Sequence, residues 1–532
     1  TILDWYLDYA SVSSLSKEEK NVKAMDNRFY LNKKIRSKKF KYVLGSFALL
    51  AVIIFSYLFV DFKNNEKSPS DKAELEKSIA VLPFRNLSND ESQAYFCDGF
   101  MEEVLNHLQR VKSFSVRSRT SSYIYKESPK TLPEIAKELN VNYIIEGSIA
   151  HQGNNLKIWV QLINTKTDEH LWSEDYNREM KQVFTIQSDI AKQIAQKLKT
   201  VLSIEEIKQI EKIPTENLEA YDYYLLGKAS RLKKTEKDIH KAINLLEKAI
   251  EKDPLLANAY LELSGCYTNL PNYSSIRPSD AYEPAKEYAL KALELDSSSS
   301  AFTRLGVIKY EYDFNFSRAD FFYKKAIQLK PNNAEAYYYY ADFLYQTGRS
   351  DEALKMDSIT LILDPVNLGY STIHGLRLAY GGKLDSAVSH LTRLSNLHPK
   401  SGLINWSLGS AYYLKGNYKQ AIKELEKGMK LSGEAPLWMS FLGLVYSKAG
   451  NKNKVKDILN SFEQRSKNVY IPYSLRAMLY AELGDDQTAL EYLKIAFKER
   501  ELFLIYFRYL IKDAFLNLQS DPRYIELMDK VG

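Results

Sequence analysis

A small residue returns at a fixed spacing in the second half of the chain. The spacing is 34 positions through Ala285, Ala319, Ala353, Ala387, Ala421, Val455 and Ala489, and Ala242 lies 43 positions before the first of these. A period of this size is typical of stacked helix-turn-helix units, each of which can bury its apolar face only against a neighbour. The pattern predicts an array of seven to eight helical hairpins over residues 219–500.

Other columns of the array keep the same register. With the small residue at position 20 of each unit, position 8 holds glycine (Gly375, Gly409 and Gly443), position 11 tyrosine (Tyr310, Tyr412, Tyr446 and Tyr480), and position 32 proline (Pro254, Pro331, Pro365 and Pro399). Glycine and alanine let two antiparallel helices approach, and proline ends the second helix. This register resembles the tetratricopeptide repeat (TPR) family, and the resemblance implies a concave groove lined by the first helix of each unit.

An uncharged run of 19 residues extends from Tyr42 to Val60. At about 1.5 Å per residue, a helix of this length spans roughly the 30 Å hydrocarbon layer of a bilayer. The alternatives are a buried core helix and a cleaved signal peptide; the run lies far from the start of the chain and ends without a small-residue cleavage pattern, which disfavours the second. We therefore predict a single transmembrane helix at 42–60, contacting the lipid bilayer.

The charges that flank this run predict its orientation. The 20 residues before it hold eight Lys or Arg, whereas the 20 after it hold four, mixed with acidic residues. Because positive residues stay inside, residues 1–41 are predicted to be a cytoplasmic juxtamembrane segment and the rest of the chain periplasmic, at a bacterial inner membrane. The basic cluster could instead contact DNA, but topology and anionic lipid explain it with fewer assumptions. Residues 61–77 read as a solvated linker.

Residues 78–203 mix strand and helix patterns. Strands are predicted at 78–84, 114–117, 143–150, 156–163 and 170–176, with helices after Asp98, at 132–139 and at 183–198. Asp98 is a candidate cap for the first of these helices. The connection from Gln152 to Asn155 has the composition of a tight hairpin turn. This pattern predicts a small α+β domain of two or three layers.

Five segments of this domain carry a second resemblance. They are Ile79–Phe84, Asp98–Phe100, Glu134–Leu139, Tyr143–Ser148 and Leu171–Tyr176. In this order they resemble the TolB amino-terminal-like (FlgO-like) domain. Proteins with that domain commonly place an output domain before a membrane span, either a winged-helix DNA-binding domain or a class III nucleotide cyclase. This chain holds no complete domain of either kind before Tyr42.

Composition and motif searches favour a binding protein over an enzyme. The net charge of +6 is modest for 532 residues and does not predict nucleic-acid binding by this chain. Cys97 and Cys266 fall in different domains and are not expected to pair. No phosphate-binding loop, dinucleotide fingerprint, metalloprotease motif or nucleophile elbow is present, so we expect no catalytic residues, metal or cofactor. Glu146, which follows an apolar strand, is expected to pair with Arg117, Arg119 or a backbone N–H.

The expected partner is a protein or peptide bound in the groove of the array. By register, the inward positions 5, 9 and 12 include Arg304, Ile308, Tyr338, Asp342, Tyr345, Trp406 and Tyr413. Aromatic and Arg residues on a rigid concave face are common anchors for peptides. The alternative for several of the tyrosines is simple packing between helices. Residues 204–218 are predicted to be a linker, and 501–532 to be helices that cap the array.

The predicted fold is mainly α, with a single transmembrane helix, a small α+β domain and a TPR solenoid. Its predicted function is a membrane-anchored, non-catalytic sensor, scaffold or signalling protein. The alternative is the carboxyl-terminal sensory portion of a membrane-bound transcriptional regulator or nucleotide cyclase whose output domain is absent from this chain. A third hypothesis, a soluble enzyme built on the α+β domain, requires a deep polar pocket near Glu146 or Arg117.

Overall fold

The computed structural model describes residues 77–88, 90, 93–233, 235–273, 276–509 and 512–531. From Lys77 onward the chain forms one compact unit. Within the described ranges no helix is both long enough and apolar enough to cross a membrane. The prediction of a transmembrane helix as part of the fold is therefore wrong for the structure described. Residues 42–60, on which it was placed, and the predicted segments 1–41 and 61–76 lie outside the described residues.

A mixed sheet forms the centre of the small domain. Its strands are β1 (Ser78–Val81), β2 (Arg85–Asn86), β3 (Ser115–Val116), β4 (Tyr143–Gln152), β5 (Asn155–Asn164) and β6 (Glu169–Glu179). The order is β3-β1-β4-β5-β6, with β2 also paired to β4. Strands β1, β2 and β3 run parallel to their neighbours, whereas β4, β5 and β6 are antiparallel. The β4–β5 turn contains Gly153 at φ +60°, as its hairpin composition predicts.

Helices cover both faces of this sheet. They are α1 (Ala94–Gln109), α2 (Arg119–Tyr123), α3 (Leu132–Leu139) and α4 (Val183–Lys197). Successive strand residues point to opposite faces, so Ile79 and Val81 pack with α1 and α4, while Ala80 and Leu82 pack with α3. The domain therefore has three layers. Helix α1 begins four residues before Asp98, which lies inside the helix and does not cap it.

The predicted linker at 204–218 contains a helix. Helix α5 (Ile204–Glu211) begins with a capping box between Ser203 and Glu206. Its Ile210 is fully buried in the core that the small domain shares with the first hairpin. The Ser203-x-x-Glu206 pattern and the three-residue spacing of Ile207 and Ile210 are the signals that could have identified this helix.

Sixteen helices follow as eight antiparallel hairpins. In order they are α6 (Leu218–Arg231), α7 (Glu236–Lys252), α8 (Ala257–Tyr273), α9 (Pro278–Leu295), α10 (Ser299–Glu311), α11 (Phe316–Leu329), α12 (Ala334–Gln346), α13 (Ser350–Leu363), α14 (Leu368–Tyr380), α15 (Leu384–Leu397), α16 (Gly402–Leu414), α17 (Tyr418–Ser432), α18 (Pro436–Lys448), α19 (Lys452–Arg465), α20 (Tyr473–Leu483) and α21 (Asp486–Lys498). Every residue of the 34-residue column is fully buried. The prediction of stacked TPR hairpins is confirmed.

Two contacts show why the small-residue columns are needed. A Cβ on Gly409 would lie 2.7 Å from Leu425 of the next helix, and one on Gly375 would lie 2.8 Å from Leu391. Both separations are shorter than van der Waals contact. The first and second helices of these hairpins can therefore approach closely only because position 8 has no side chain.

The end of the chain folds back against the array. Helix α22 (Phe503–Tyr509), a 3-10 stretch (Lys512–Leu518) and helix α23 (Pro522–Val531) follow the eighth hairpin. The buried Glu501 carboxylate accepts hydrogen bonds from the backbone N–H groups of Tyr473 and Ser474, both at 2.8 Å, at the start of α20. These bonds fix the first residue of the segment to the last hairpin.

The third and eighth hairpins touch each other. The ring of Phe314 stacks on Phe497 with centroids 6.2 Å apart, and the Arg500 guanidinium lies 5.2 Å from the ring centre of Tyr312. Arg500 also lies 3.8 Å from the Asp313 carboxylate. The array therefore curves until these two hairpins meet, and a cavity lies on its inner face.

Candidate functional site

The inner face of the array surrounds a cavity of about 660 Å³. First helices of successive hairpins supply most of its walls, from α12 through α14 and α16 to α18 and α20. Aromatic side chains are about a third of the lining residues, among them Tyr338, Tyr339, Tyr380, Trp406 and Trp438. A cavity of this size, with an aromatic lining and a few polar groups, is typical of a ligand-binding site.

Four of the seven predicted site residues line this cavity: Tyr338, Asp342, Tyr345 and Trp406. Tyr338 stacks on Tyr370 with ring centroids 4.5 Å apart. The Trp406 ring stacks on Trp438 at 6.0 Å. These stacked pairs hold the rings in place before any partner arrives, so little side-chain entropy remains to be lost on binding.

The other three predicted residues lie within the packing between helices. Ile308 is fully buried. Arg304 donates to the Thr268 hydroxyl at 3.1 Å and lies 3.8 Å from the Glu335 carboxylate, so it joins three hairpins. Tyr413 packs edge-on against Phe441 with centroids 5.4 Å apart. The structure therefore does not bring these three side chains to the cavity.

A buried cluster of charges lies in the cavity wall. The Arg377 guanidinium donates to the Asp357 carboxylate and, at 3.1 Å, to the Asp342 carboxylate. It also lies over the Tyr338 ring, 5.1 Å from its centre. Burial raises the pKa of Asp342 even though Arg377 acts to lower it. One guanidinium group is thus the shared ion-pair partner of two carboxylates.

Glu311, the last residue of α10, is a second carboxylate in the wall. The hydroxyl of Tyr282 donates a hydrogen bond of 2.6 Å to it. Among the described residues, no Lys or Arg forms an ion pair with Glu311. The pKa of this carboxyl group is raised to about 7, because burial and the neighbouring Asp342 together outweigh the lowering effects of Tyr282 and Arg304. Near neutral pH this group therefore exchanges its proton readily.

Helix α22 supplies a further part of the wall. Phe503, Tyr506 and Phe507 of this helix line the cavity. Burial raises the pKa of Tyr506 well above its usual value, and the nearby charges of Asp342 and Glu311 add to the shift. The tyrosine hydroxyl is therefore neutral and lies beside both carboxylates. The carboxyl-terminal segment, predicted to be a cap, also forms part of the site.

Several polar atoms of the wall have no hydrogen-bond partner within the described part of the chain. They are the side-chain oxygen of Gln346, Nε1 of Trp406 and Nε of Arg377. Gln346 is only 2% exposed, and it lines the cavity. A buried polar atom without a partner costs about 1–3 kcal/mol, so such atoms are expected where a ligand supplies the missing bond.

Sequence reasoning missed Glu311, Gln346, Arg377, Tyr380 and Tyr506. Glu311 stands at position 12 of its unit, one of the three inward positions, so the register itself could have identified it. Arg377 stands at position 10, and Gln346 and Tyr380 stand at position 13. These positions directly follow the inward positions 9 and 12, so the inward face of the first helices is one residue wider than predicted. Tyr506 follows the repeats, and no periodicity points to it.

Residues singled out in the small domain have structural partners. The Glu146 carboxylate accepts a hydrogen bond of 2.6 Å from the side-chain amide of Gln161, a different partner from those expected. Arg117 donates to the backbone oxygens of Leu139 and Asn140, at 2.7 and 2.5 Å. Across the described ranges, no group of three or more His, Cys, Asp or Glu is arranged to hold a metal ion.

Comparison with protein families identifies both parts of the described chain. The model described as "HilA/YgeH-like transcriptional regulator, second domain" matches residues 75–196. Two tetratricopeptide repeat models match residues 322–355 and 374–436. The array thus consists of TPRs, and the small domain is similar to a domain of transcriptional regulators. The assignment of that domain to the TolB amino-terminal-like family is not supported by these matches.

Two curated proteins share parts of the chain. "Putative adenylate cyclase 3" of Rhizobium meliloti (strain 1021) is 31% identical over 44% of this chain and 40% of its own length. "Transcriptional regulator HilA" of Salmonella typhimurium (strain LT2) is 25% identical over 67% of this chain and 63% of its own length. The chain thus spans less than two thirds of either relative. Among solved structures, yeast Tom70 is 14% identical over 66% of this chain and 82% of its own, with a TM-score of 0.37.

Proposed function

We propose that this chain is the partner-binding part of a signalling or regulatory protein and that it acts without catalysis of its own. TPR proteins bind peptides or proteins, and the inner face of this array presents preformed aromatic rings beside ionised groups. The observation that carries the proposal is the cavity on the inner face, with four of the predicted anchor residues in its wall. A protein or peptide segment would place a side chain or chain end into it.

The resemblance of the small domain gives this proposal a regulatory setting. The two curated relatives are named as a transcriptional regulator and an adenylate cyclase, and the chain covers only part of each. We propose that the partner-binding array reports to an output function of one of these two kinds, carried outside the residues described. The small domain would transmit the signal, since it contacts several hairpins at once.

The contacts that support transmission lie at three successive turns of the array. Lys212 forms a salt bridge of 2.7 Å with Asp296 after the second hairpin. The Asn332 amide donates to the backbone oxygen of Phe114 at 2.6 Å after the third, and Ser118 N–H donates to the backbone oxygen of Leu363 at 3.0 Å at the end of the fourth. A change in the curvature of the array would therefore reach the sheet directly.

An immobilised array of short peptides of varied composition tests partner binding. The full chain is compared with the double variant Tyr338→Ala/Trp406→Ala, which removes two stacked rings from the cavity. The matched control is Tyr412→Ala, at a position outside the cavity lining. We expect peptides retained by the full chain and by the control to be lost by the double variant. Equal retention by all three proteins, or no retained peptide, would contradict the proposal.

A further inference from the structure

We propose that the cavity takes a positively charged nitrogen group, a guanidinium or an ammonium. This inference deepens the proposed function, on which it rests, by naming the chemistry of the bound group. The source is either a basic side chain of a bound peptide or a small free amine, since the recognising chemistry is the same for both.

The balance of charge in the wall favours a cation. Among the described residues that line the cavity, five carry carboxylates (Glu236, Glu311, Asp342, Glu434 and Glu501), of which Glu236 and Glu501 already have other partners, and two carry guanidinium groups (Arg377 and Arg465). Both guanidinium groups already have partners. Arg377 is held by two aspartates, and Arg465 donates to the backbone oxygen of Glu434 at 3.4 Å. The charge of Arg377 is therefore already neutralised by its two aspartates.

Glu311 is the carboxylate that a ligand would neutralise. Its Tyr282 hydrogen bond satisfies one lone pair of the carboxylate, and Glu311 lines the cavity. Removing an ionised carboxylate from water without a counterion is costly, and a bound cation would offset that cost. Asp342, which shares its guanidinium with Asp357, adds negative potential on the same side.

The uncharged groups of the wall suit the same ligand. The side-chain oxygen of Gln346 accepts no hydrogen bond from the described residues, and Gln346 is buried. Tyr338, Tyr339 and Trp406 line the cavity, and an aromatic face attracts a cation by about 0.5–2 kcal/mol. An acceptor, two carboxylates and aromatic faces together form a site for an N–H cation.

Binding of a cation is expected to depend on pH through Glu311. The charged and titratable groups around it are Tyr282 on α9, Arg304 on α10, Tyr339 and Asp342 on α12, and Tyr506 on α22. The pKa values of the three tyrosines are raised by burial, so these side chains stay neutral between pH 6 and pH 8. The cation favours the ionised carboxylate, so affinity rises as the pH rises through the pKa of about 7.

Titration calorimetry on the full chain at pH 8 tests the inference with defined probes. One arm uses the peptide acetyl-Gly-Gly-Arg-Gly-Gly-amide and its neutral citrulline counterpart, and the other uses free agmatine and spermidine. Each probe is titrated into the unmodified chain, Glu311→Gln and the control Glu294→Gln, whose carboxylate is exposed on the outer helix α9. Thermal melts check that each variant folds.

We expect at least one cationic probe to bind and its neutral counterpart to bind at least about tenfold more weakly. Glu311→Gln should reduce the affinity for the cation by a similar factor. Glu294→Gln should leave that affinity unchanged. Binding of the peptide alone identifies a side chain as the source, and binding of a free amine identifies a small ligand. Absence of binding by every cation, or equal binding of arginine and citrulline peptides, would overturn the inference. Equal binding of the arginine and citrulline peptides would still support the proposed function, because a peptide would bind. If only free amines bound and the peptide array retained nothing, the proposed function would be contradicted but the cation site would be supported.

Discussion

Two buried regions of this molecule differ in how far their negative charges are balanced by positive ones. The junction between the small domain and the first hairpins alternates positive and negative groups in a chain of ion pairs. The cavity of the array contains carboxylates that outnumber their cations. Both regions include helices of the same array, so the difference reflects the residues placed there and indicates which region is complete without a ligand.

At the junction, charges alternate along a line of five side chains. Arg119 contacts Glu102 at 3.3 Å, Glu102 contacts Lys228 at 3.0 Å, and Lys228 and Arg231 both contact Glu262, at 3.9 and 2.5 Å. Burial acts to lower the pKa of Lys228, but the surrounding carboxylates, Glu102 first, raise it well above its usual value. The ionised form is therefore the stable form here.

The remaining junction contacts are close and apolar. A Cβ on Gly99 would lie 2.6 Å from a methyl group of Leu225, so α1 and α6 touch directly. The Phe184 ring meets Tyr221 edge-on at 4.8 Å. Even Glu103, whose pKa burial raises, faces Lys228 and Arg110, which both act to lower it. This region has the properties of a permanent interface, whereas the cavity has those of a site that awaits a partner.

Replacement of Arg377 by Met gives the largest expected effect. It leaves Asp357 and Asp342 without their shared cation, and Asp357 is only 3% exposed. Removal of one partner from a buried ion pair costs several kcal/mol, and we expect a loss of about 4 kcal/mol in the free energy of unfolding. Urea denaturation at pH 7 measures it. Arg393→Met, at an exposed position of α15, is the control, and equal losses for the two variants would refute the role given to this charge.

Lys228→Met should destabilise the junction by a smaller amount, about 2–3 kcal/mol, because Glu102 and Glu262 keep Arg119 and Arg231 as partners. Lys291→Met, which removes an exposed ion pair with Glu294, is expected to change stability by less than about 0.5 kcal/mol. The two unfolding midpoints are compared in the same urea series. A Lys228→Met variant as stable as Lys291→Met would show that the line of charges contributes nothing.

Glu311→Gln is expected to change the stability of the fold in a pH-dependent way, because it removes a titrating group from the cavity. The folded-state pKa of Glu311 is raised from 4.5 to about 7, so the ionisation of this group destabilises the fold progressively as the pH rises between these values. The variant should therefore be about 1–3 kcal/mol more stable than the unmodified chain at pH 8 and nearly equal to it at pH 4.5. Melting temperatures at both pH values measure this, with Glu294→Gln as control. A pH-independent difference would contradict the burial of an unpaired carboxylate.

The array could be predicted because its sequence period indicates which residues pack between helices. A residue that returns every 34 positions is buried in every repeat, and the hairpins, their number and the concave anchors Tyr338, Asp342, Tyr345 and Trp406 follow from that register. Strand alternation likewise identified β4, β5 and β6 within two or three residues of their observed ends.

The rest depended on contacts that no local pattern encodes. Arg304 satisfies the register for an inward position, but Thr268 and Glu335 of neighbouring hairpins hold it between helices. Tyr506 reaches the cavity only because the third and eighth hairpins meet. The apolar run at 42–60 matched the length of a membrane span, but length and hydropathy alone do not establish a fold element, and the described helices contain none of that kind.

The most direct test of the account is the affinity of the acetyl-Gly-Gly-Arg-Gly-Gly-amide peptide at pH 6 and at pH 8. If the cavity binds a cation against Glu311, affinity should be about tenfold higher at pH 8, in proportion to the ionised fraction of a group with a pKa of about 7, and Glu311→Gln should abolish that difference. Equal affinities at the two pH values, or a pH dependence that survives in Glu311→Gln, would contradict it.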